Sequence, residues 1–339
     1  MTREAVMEII GNGAFPGATA AAALVETHIS WVILDEHWAY KIKKPVRFSF
    51  LDFSSLEKRW YYCQQELKLN KRLAPDMYHR VLPVGYSDNG YFIGTDKGIT
   101  VDYALQMRRQ DNNRQMNKLL EVGRVTLSQL DQLASMLAAF HRQTNKITRP
   151  VDIEAMHADF ADLSTTLPII RKHWGSDIEN QVQEAIEKAG LFLQKHKKRI
   201  QERAEAGFIV DGHGDLHSRN IFLSDPPVIF DCIEFNDAIR HVDVLNEIAF
   251  LCLDLDFYAY PDLANYFVQA YHTYYPCLIT DEDHAILAYY RRYRANIRLK
   301  VTLLEVGQAN AESATNAVRL SQARRYATLM GLRFNGTGN

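Results

Sequence analysis

Phe208-Ile-Val-Asp-Gly-His-Gly-Asp-Leu-His-Ser-Arg-Asn-Ile-Phe-Leu-Ser-Asp-Pro-Pro-Val-Ile-Phe-Asp231 is the stretch on which the reading of this chain turns. Two apolar, β-forming runs flank a polar loop, and the second run ends on Asp231. Within the loop, Asp215 and Asn220 are separated by four residues. An acidic side chain can orient a hydroxyl and take its proton. A carboxylate and an amide oxygen together offer the hard donors that Mg2+ accepts when phosphate and water complete its shell. Asp215 can serve in the first role, and Asn220 and Asp231 in the second. His213, Asp215 and His217 alternate along the chain as a zinc-hydrolase cluster would, but such sites need further histidines at close spacing, and His241 stands apart from any signature.

Upstream of this stretch the pattern is mixed. Ile29-Ser-Trp-Val-Ile-Leu34 and Trp38-Ala-Tyr-Lys-Ile-Lys43 read as a hairpin around Asp35-Glu-His37. In its second strand Trp38, Tyr40 and Ile42 share one face, and Ala39, Lys41 and Lys43 the other. Residues 18–26 read as a helix. Residues 54–73 are also helical by pattern, with Ser54 and Glu57 at capping-box spacing and Leu56, Trp60, Cys63, Leu67 and Asn70 along one face. Strands follow at 81–86, 91–95 and 100–107, with turns at Asp88-Asn-Gly90 and Asp96-Lys-Gly98. After Arg108 the character changes. Residues 127–143 form an amphipathic helix, 177–206 a long charged one, and about 243–332 a series of helices rich in Leu, Tyr and Ala. A small sheet with one long helix (residues 1–108) is therefore expected to precede a mostly helical part (109–339).

Composition narrows the function. Of 339 residues 47% are hydrophobic and 24% charged, enough to bury a sizeable core. The net charge of -2 gives no support for nucleic-acid binding. The apolar runs are too short and too charged to be expected to span a membrane, and Met1-Thr-Arg-Glu4 lacks the apolar stretch expected of a signal peptide. Cys63, Cys232, Cys252 and Cys277 form no Cys-x-x-Cys pair, as expected of a reduced, cytoplasmic protein.

The motif His213-Gly-Asp-x-His-x-x-Asn220, followed by a strand ending in Asp231, closely resembles the aminoglycoside phosphotransferase and choline kinase-like family, relatives of protein kinases. The resemblance implies a bilobal, kinase-like α+β fold, with a small antiparallel β N-lobe carrying one long helix and a larger helical C-lobe. It implies Asp215 as catalytic base, Asn220 and Asp231 as metal holders, His213 as support for the loop, and His217 close to the active centre. Asp243 resembles the family's aspartate that braces the catalytic loop. In the small lobe, Ala39-Tyr-Lys41 resembles the strand that points a lysine at nucleotide phosphates. Lys43 is the rival lysine. Glu66 is the implied partner, with Glu57 as its alternative. The strand ending at Gln106-Met107-Arg108 would lead into a hinge whose backbone reads the base. The cofactors implied are ATP, or another nucleoside triphosphate, and Mg2+.

The wider stretch Glu26-Thr-His-Ile-Ser-Trp31, Tyr40-Lys-Ile-Lys-Lys-Pro45 and Phe50-Leu-Asp-Phe53 resembles a bacterial subgroup of phosphotransferase-like proteins, some with an added P-loop domain. No Gly-x-x-x-x-Gly-Lys-Ser/Thr occurs here, so that domain is not expected. The kinase glycine loop is missing between the first strands, where Thr27–Ser30 could cover phosphate instead. Only a short run separates Asp231 from Asp243, which favours a small hydroxyl-bearing acceptor over a protein. A nucleotide-binding pseudokinase and a protein-acceptor kinase are the competing readings. Asp254 and Asp256 are read as helix-end charges, and Arg291-Arg-Tyr-Arg294 as a solvated face or an internal salt bridge. Glu234 is placed near enough to touch metal or substrate.

Overall fold

The computed structural model describes residues 1–19, 22–48, 51–94, 98–308 and 314–334. The chain forms two compact units. The first comprises residues 1–119, 213–215 and 219–240, and the second 120–212, 216–218 and 241–339. Most of the loop read above therefore belongs with the N-terminal residues.

In the first unit, helix α1 (Arg3–Gly11) precedes strands β1 (Ala23–Glu26), β2 (Ser30–Leu34) and β3 (Trp38–Lys43), the two-residue strands β4 (Arg47–Phe48) and β5 (Leu51–Asp52), helix α2 (Leu56–Asn70), and strands β6 (Tyr78–Ser87), β7 (Gly90–Ile93) and β8 (Ile99–Arg108). Among the described residues these build a six-stranded sheet in the order β1-β2-β3-β8-β6-β7, with every neighbouring pair antiparallel. The alternation expected in β3 is present. Tyr40 and Ile42 enter a core with Val6, Ile9, Trp31, Ile33 and Val84, while Ala39 packs on the other face with Tyr78, Leu105 and Met107.

Two expectations for this unit need correction. Where residues 18–26 read as a helix, Ala23–Glu26 is a strand paired to β2, and residues 20–21 lie outside the described residues. Pairing overrode the alanine-rich helix propensity. In α2 the cap is Ser55, whose Oγ accepts from Lys58 N (3.3 Å), while Ser54 bonds to Asp52 instead. The buried face of α2 is Arg59, Cys63, Glu66, Leu69 and Asn70, and Trp60 points outward. Arg59 and Glu66 are buried because each meets an opposite charge inside: Arg59 Nε donates to Asp102 Oδ1 (2.8 Å), and Glu66 meets two lysines. The turn expected at 96–97 lies outside the described residues.

The second unit is helical. Leu127–Gln143 begins with a capping box made by Thr126 and Gln129, and Ser176–Glu205 is the long charged helix. Val244–Phe257, buried along nearly all its length, contacts helices Pro261–Tyr274 and Asp281–Gln308. Strands Ile209–Asp211 and His241–Asp243 pair antiparallel, the second unforeseen from sequence. Among the described residues, no helix is long and apolar enough to cross a membrane.

Candidate active site

The loop residues 213–215 and 219–220 belong to the first unit and are held by hydrogen bonds. Asp215 N donates to His213 Nδ1 (3.2 Å), so that nitrogen is the acceptor and the proton sits on Nε2, which donates to Phe230 O (2.8 Å). Ile233 N donates to His213 O (3.1 Å). His213 thus ties the loop to both sides of Asp231. Gly214 has φ +86 and lies against Ile239 O, a place where a side chain would be strained and crowded. Asn220 Nδ2 donates to Asp215 O (3.1 Å) and Oδ2 (3.3 Å), while Phe230 N donates to Asn220 O (3.0 Å). Asp215, Asn220 and Asp231 are thereby brought together.

Asp231 has φ +62, a left-handed conformation that aspartate tolerates better than most residues. Its N–H donates to Tyr78 Oη (3.1 Å), and the next N–H, of Cys232, donates to Asn70 Oδ1 (2.8 Å). Asn70 in turn donates from Nδ2 to Glu66 O (3.0 Å). Neither Tyr78 nor Asn70 is singled out by sequence reasoning. Asn70 left one signal, a polar residue in line with the helix's apolar face.

Lys41 Nζ lies 2.7 Å from Glu66 Oε1 and 2.7 Å from Asp231 Oδ1. Lys43 Nζ lies 2.5 Å from Glu66 Oε2 and also pairs with Glu234 Oε1. Both lysines therefore meet Glu66, while Glu57 is exposed in the first turn of α2. Lys43 is 1% exposed, against 14% for Lys41 and 44% for Asp231, so the second pair is the one open to a ligand. Burial pulls the Lys41 ammonium down, but Asp231 and Glu66 outweigh it and hold the group well above its usual value. Burial pushes the Glu66 carboxyl up, but Lys41 and Lys43 win and hold it at about 2. Glu234 moves the other way, raised by burial beyond what Lys43 offsets.

The donor set fits Mg2+. Asn220 gives its amide protons to Asp215, leaving Oδ1 free of that bond, and Oδ1 and the Asp231 carboxylate are both hard oxygen donors that could hold the ion.

The remaining candidates have the following surroundings within their own units. Gln106 is buried in β8, bonded to Tyr40 Oη (3.0 Å) and Arg80 Nε (2.9 Å), and Met107 packs in the core with Ala39 and Phe222. Both side chains serve the sheet. Thr27–Ser30 is the β1–β2 turn, where Thr27 Oγ1 accepts from Ser30 N (2.9 Å). In the second unit His217 is half-buried, edge-on to Phe250. Asp243 is gripped by the Arg203 fork, 2.7 Å at each oxygen, and caps the following helix through Leu245 N (2.8 Å). Asp254 is more than a helix-end charge: it is buried and accepts from Ser218 N (2.8 Å) and Oγ (2.5 Å). Asp256 pairs with Arg291, and Arg294 Nε donates to Asn246 Oδ1 (2.7 Å), so the arginine cluster has internal partners. A cavity of about 770 Å³ lined by Phe160, Phe192, Tyr289 and Arg292, among others, contains none of the site residues.

The sequence profile of the phosphotransferase enzyme family matches residues 120–279. The match covers a little under half of the chain and includes the loop His213–Asn220 and Asp231. Uncharacterised proteins of Mycobacterium tuberculosis (strain H37Rv) and Mycobacterium bovis are 31% identical to this chain over 300 residues, which is 87% of this chain and 57% of theirs. The chain thus spans little more than half the length of these curated relatives. The solved aminoglycoside 2'-phosphotransferase-IIIa, a GDP complex, aligns with a TM-score of 0.55 at 13% identity, covering 96% of this chain and 98% of its own. Choline kinase from Cryptosporidium parvum aligns at 0.55 and 11%, covering 96% and 95%. A glucosamine kinase in complex with glucosamine, ADP and inorganic phosphate aligns at 0.50 and 12%, covering 97% and 82%. Such identities speak for the fold, and the expected α+β, kinase-like fold class is the one this chain shares with them.

Proposed function

We propose that this protein is a phosphotransferase that moves the γ-phosphoryl group of ATP to a hydroxyl of a small molecule. The observation that carries the reading is Lys41 held between Glu66 and Asp231, in the same compact unit as the bonded pair Asp215 and Asn220. Lys41 is the phosphate-binding lysine, with Glu66 fixing its direction. Asn220 Oδ1 and the Asp231 carboxylate would hold Mg2+, which when bound supplies neutralisation of phosphate charge. Asp215 orients the acceptor hydroxyl for in-line attack and takes its proton late. His213 keeps that loop in place. The base is read by backbone at the end of β8, around Gln106 and Met107 and the residues beyond them.

Three further points support the reading. The aminoglycoside phosphotransferase and the glucosamine kinase were solved with GDP and ADP respectively. The run between Asp231 and the helix starting at Val244 leaves little chain for docking a peptide. Four free, buried cysteines suit a reducing cytoplasm.

The test is transfer from ATP with Mg2+ across a panel of amino sugars, sugars, choline-like alcohols and amino-acid alcohols. The wild-type protein should phosphorylate at least one class. Asp215→Asn should lower turnover by about 10²-fold or more while ATP still binds. Full activity in Asp215→Asn would remove the assigned base. Nucleotide binding with no transfer or hydrolysis would favour the pseudokinase.

A further inference from the structure

Lys43 and Glu234 are the two members of the buried charge cluster to which the proposed reaction gives no part. Their side chains are 1% and 5% exposed. The contact between them joins β3 to the segment leaving Asp231, and the same ammonium reaches Glu66 Oε2 on α2. The Lys43 ammonium also lies 4.7 Å from the centre of the Phe53 ring. Two carboxylates and a ring face thus surround an ammonium with three protons, leaving it nothing to offer a ligand.

Glu66 gives one oxygen to each lysine. Without Glu234, Lys43 would compete with Lys41 for Glu66 and Asp231. With it, Lys43 is held off, and Lys41 alone faces the exposed carboxylate of Asp231. The cluster sets Glu66, Glu234 and Asp231 against Lys41 and Lys43, a formal excess of one negative charge.

We infer that Lys43 and Glu234 are a positioning pair that locks α2 to the Asp231 segment, setting Lys41 and Asp231 for a metal-bound nucleotide phosphate. This rests on the phosphotransferase reading above. Positioning and bulk charge make opposite predictions. Lys43→Met makes the cluster more negative, so charge alone would strengthen cation-linked binding, whereas lost positioning weakens it.

The experiment is calorimetric titration with ADP, with and without Mg2+. The readout is the factor by which Mg2+ tightens ADP binding. In Lys43→Met, and in Lys43→Met combined with Glu234→Met, that factor should fall about ten-fold. The double variant replaces a buried ion pair with apolar groups of similar size, an exchange that often leaves stability intact. Should one fail to fold, the other decides by the same measure, since the double variant leaves the net charge of the cluster unchanged. A folded variant with the wild-type factor, or a larger one, overturns the inference and leaves the phosphotransferase reading standing. Wild-type protein that binds no ADP with or without Mg2+ overturns both, and is seen before any variant is made.

Discussion

The ammonium of Lys41 and the carboxylate of Asp231, 190 residues apart in the chain, are 2.7 Å apart. On the proposed reading, nucleotide phosphate and metal take over these two partners from each other. Lys41→Met therefore removes the group that meets phosphate while leaving Glu66 its second lysine, Lys43. The variant should keep its fold, and its ATP turnover should fall by about 10²- to 10³-fold, the range seen when one preorganised electrostatic donor is lost. Steady-state turnover beside a thermal midpoint measures both. Wild-type turnover in the variant would shift the phosphate-binding role away from Lys41.

Two carboxylates set the acid limit of stability. Glu66 is held at about 2 because its lysines outweigh burial, and Asp283 is held below its usual range because Arg199, Thr280 N and Arg203 outweigh burial. A carboxylate with a depressed folded-state value contributes fully above its unfolded value, about 4.3 for Glu and 3.9 for Asp, and loses that contribution as pH falls toward the folded value. These groups should give no slope between pH 6 and 8, and a steady fall in the urea midpoint from about pH 4.5 downward. A midpoint unchanged between pH 6 and pH 3 would contradict this.

Arg203 is the keystone of the second unit. Fully buried, it grips both oxygens of Asp243 and donates to Asp283 Oδ1 (2.8 Å) and Cys277 O (2.7 Å). Arg203→Met strands Asp243 inside the protein without its cation, which should cost about 3–5 kcal/mol of stability. Arg203→Lys should recover little, since an ammonium cannot reproduce the two-pronged fit. Urea denaturation of both variants decides, and near-wild-type stability of Arg203→Met would refute the assignment.

How much of this was legible beforehand depends on what each residue does. The β2–β3 hairpin and the helix Leu127–Gln143 follow from local periodicity, and the structure has both. The convergence of Lys41, Glu66 and Asp231 was read only through family resemblance, because nothing local links residues so far apart. The face of α2 was misread for a physical reason: apolar periodicity finds greasy residues, and here Arg59 and Glu66 are inside. Burial of a charge depends on its partner, and Asp102, Lys41 and Lys43 lie on other elements. Asp254 was underestimated in the same way. It looked like a helix-end charge, and only the fold shows Ser218 against it.

Gly212 precedes the His213–Asn220 loop directly. A Cβ built on Gly212 would lie 2.4 Å from Glu247 Oε2, closer than side-chain atoms approach. Glu247 cannot easily withdraw. It is fully buried, and the same oxygen lies 2.6 Å from His141 Nε2, whose other ring nitrogen is 2.6 Å from Tyr271 Oη. The three side chains brace one another within the second unit. Gly212→Ala should therefore cost about 1–3 kcal/mol as an overpacked site. It should also lower turnover, because the displaced backbone leads directly into His213 and Asp215. Gly11→Ala is the control: it has no neighbour within 4 Å of the added atom and lies in a helix, where alanine is favoured by up to about 1 kcal/mol. Chemical denaturation should show the first variant weakened and the second unchanged or strengthened. Equal stability and turnover in Gly212→Ala would mean that Glu247 has room to move.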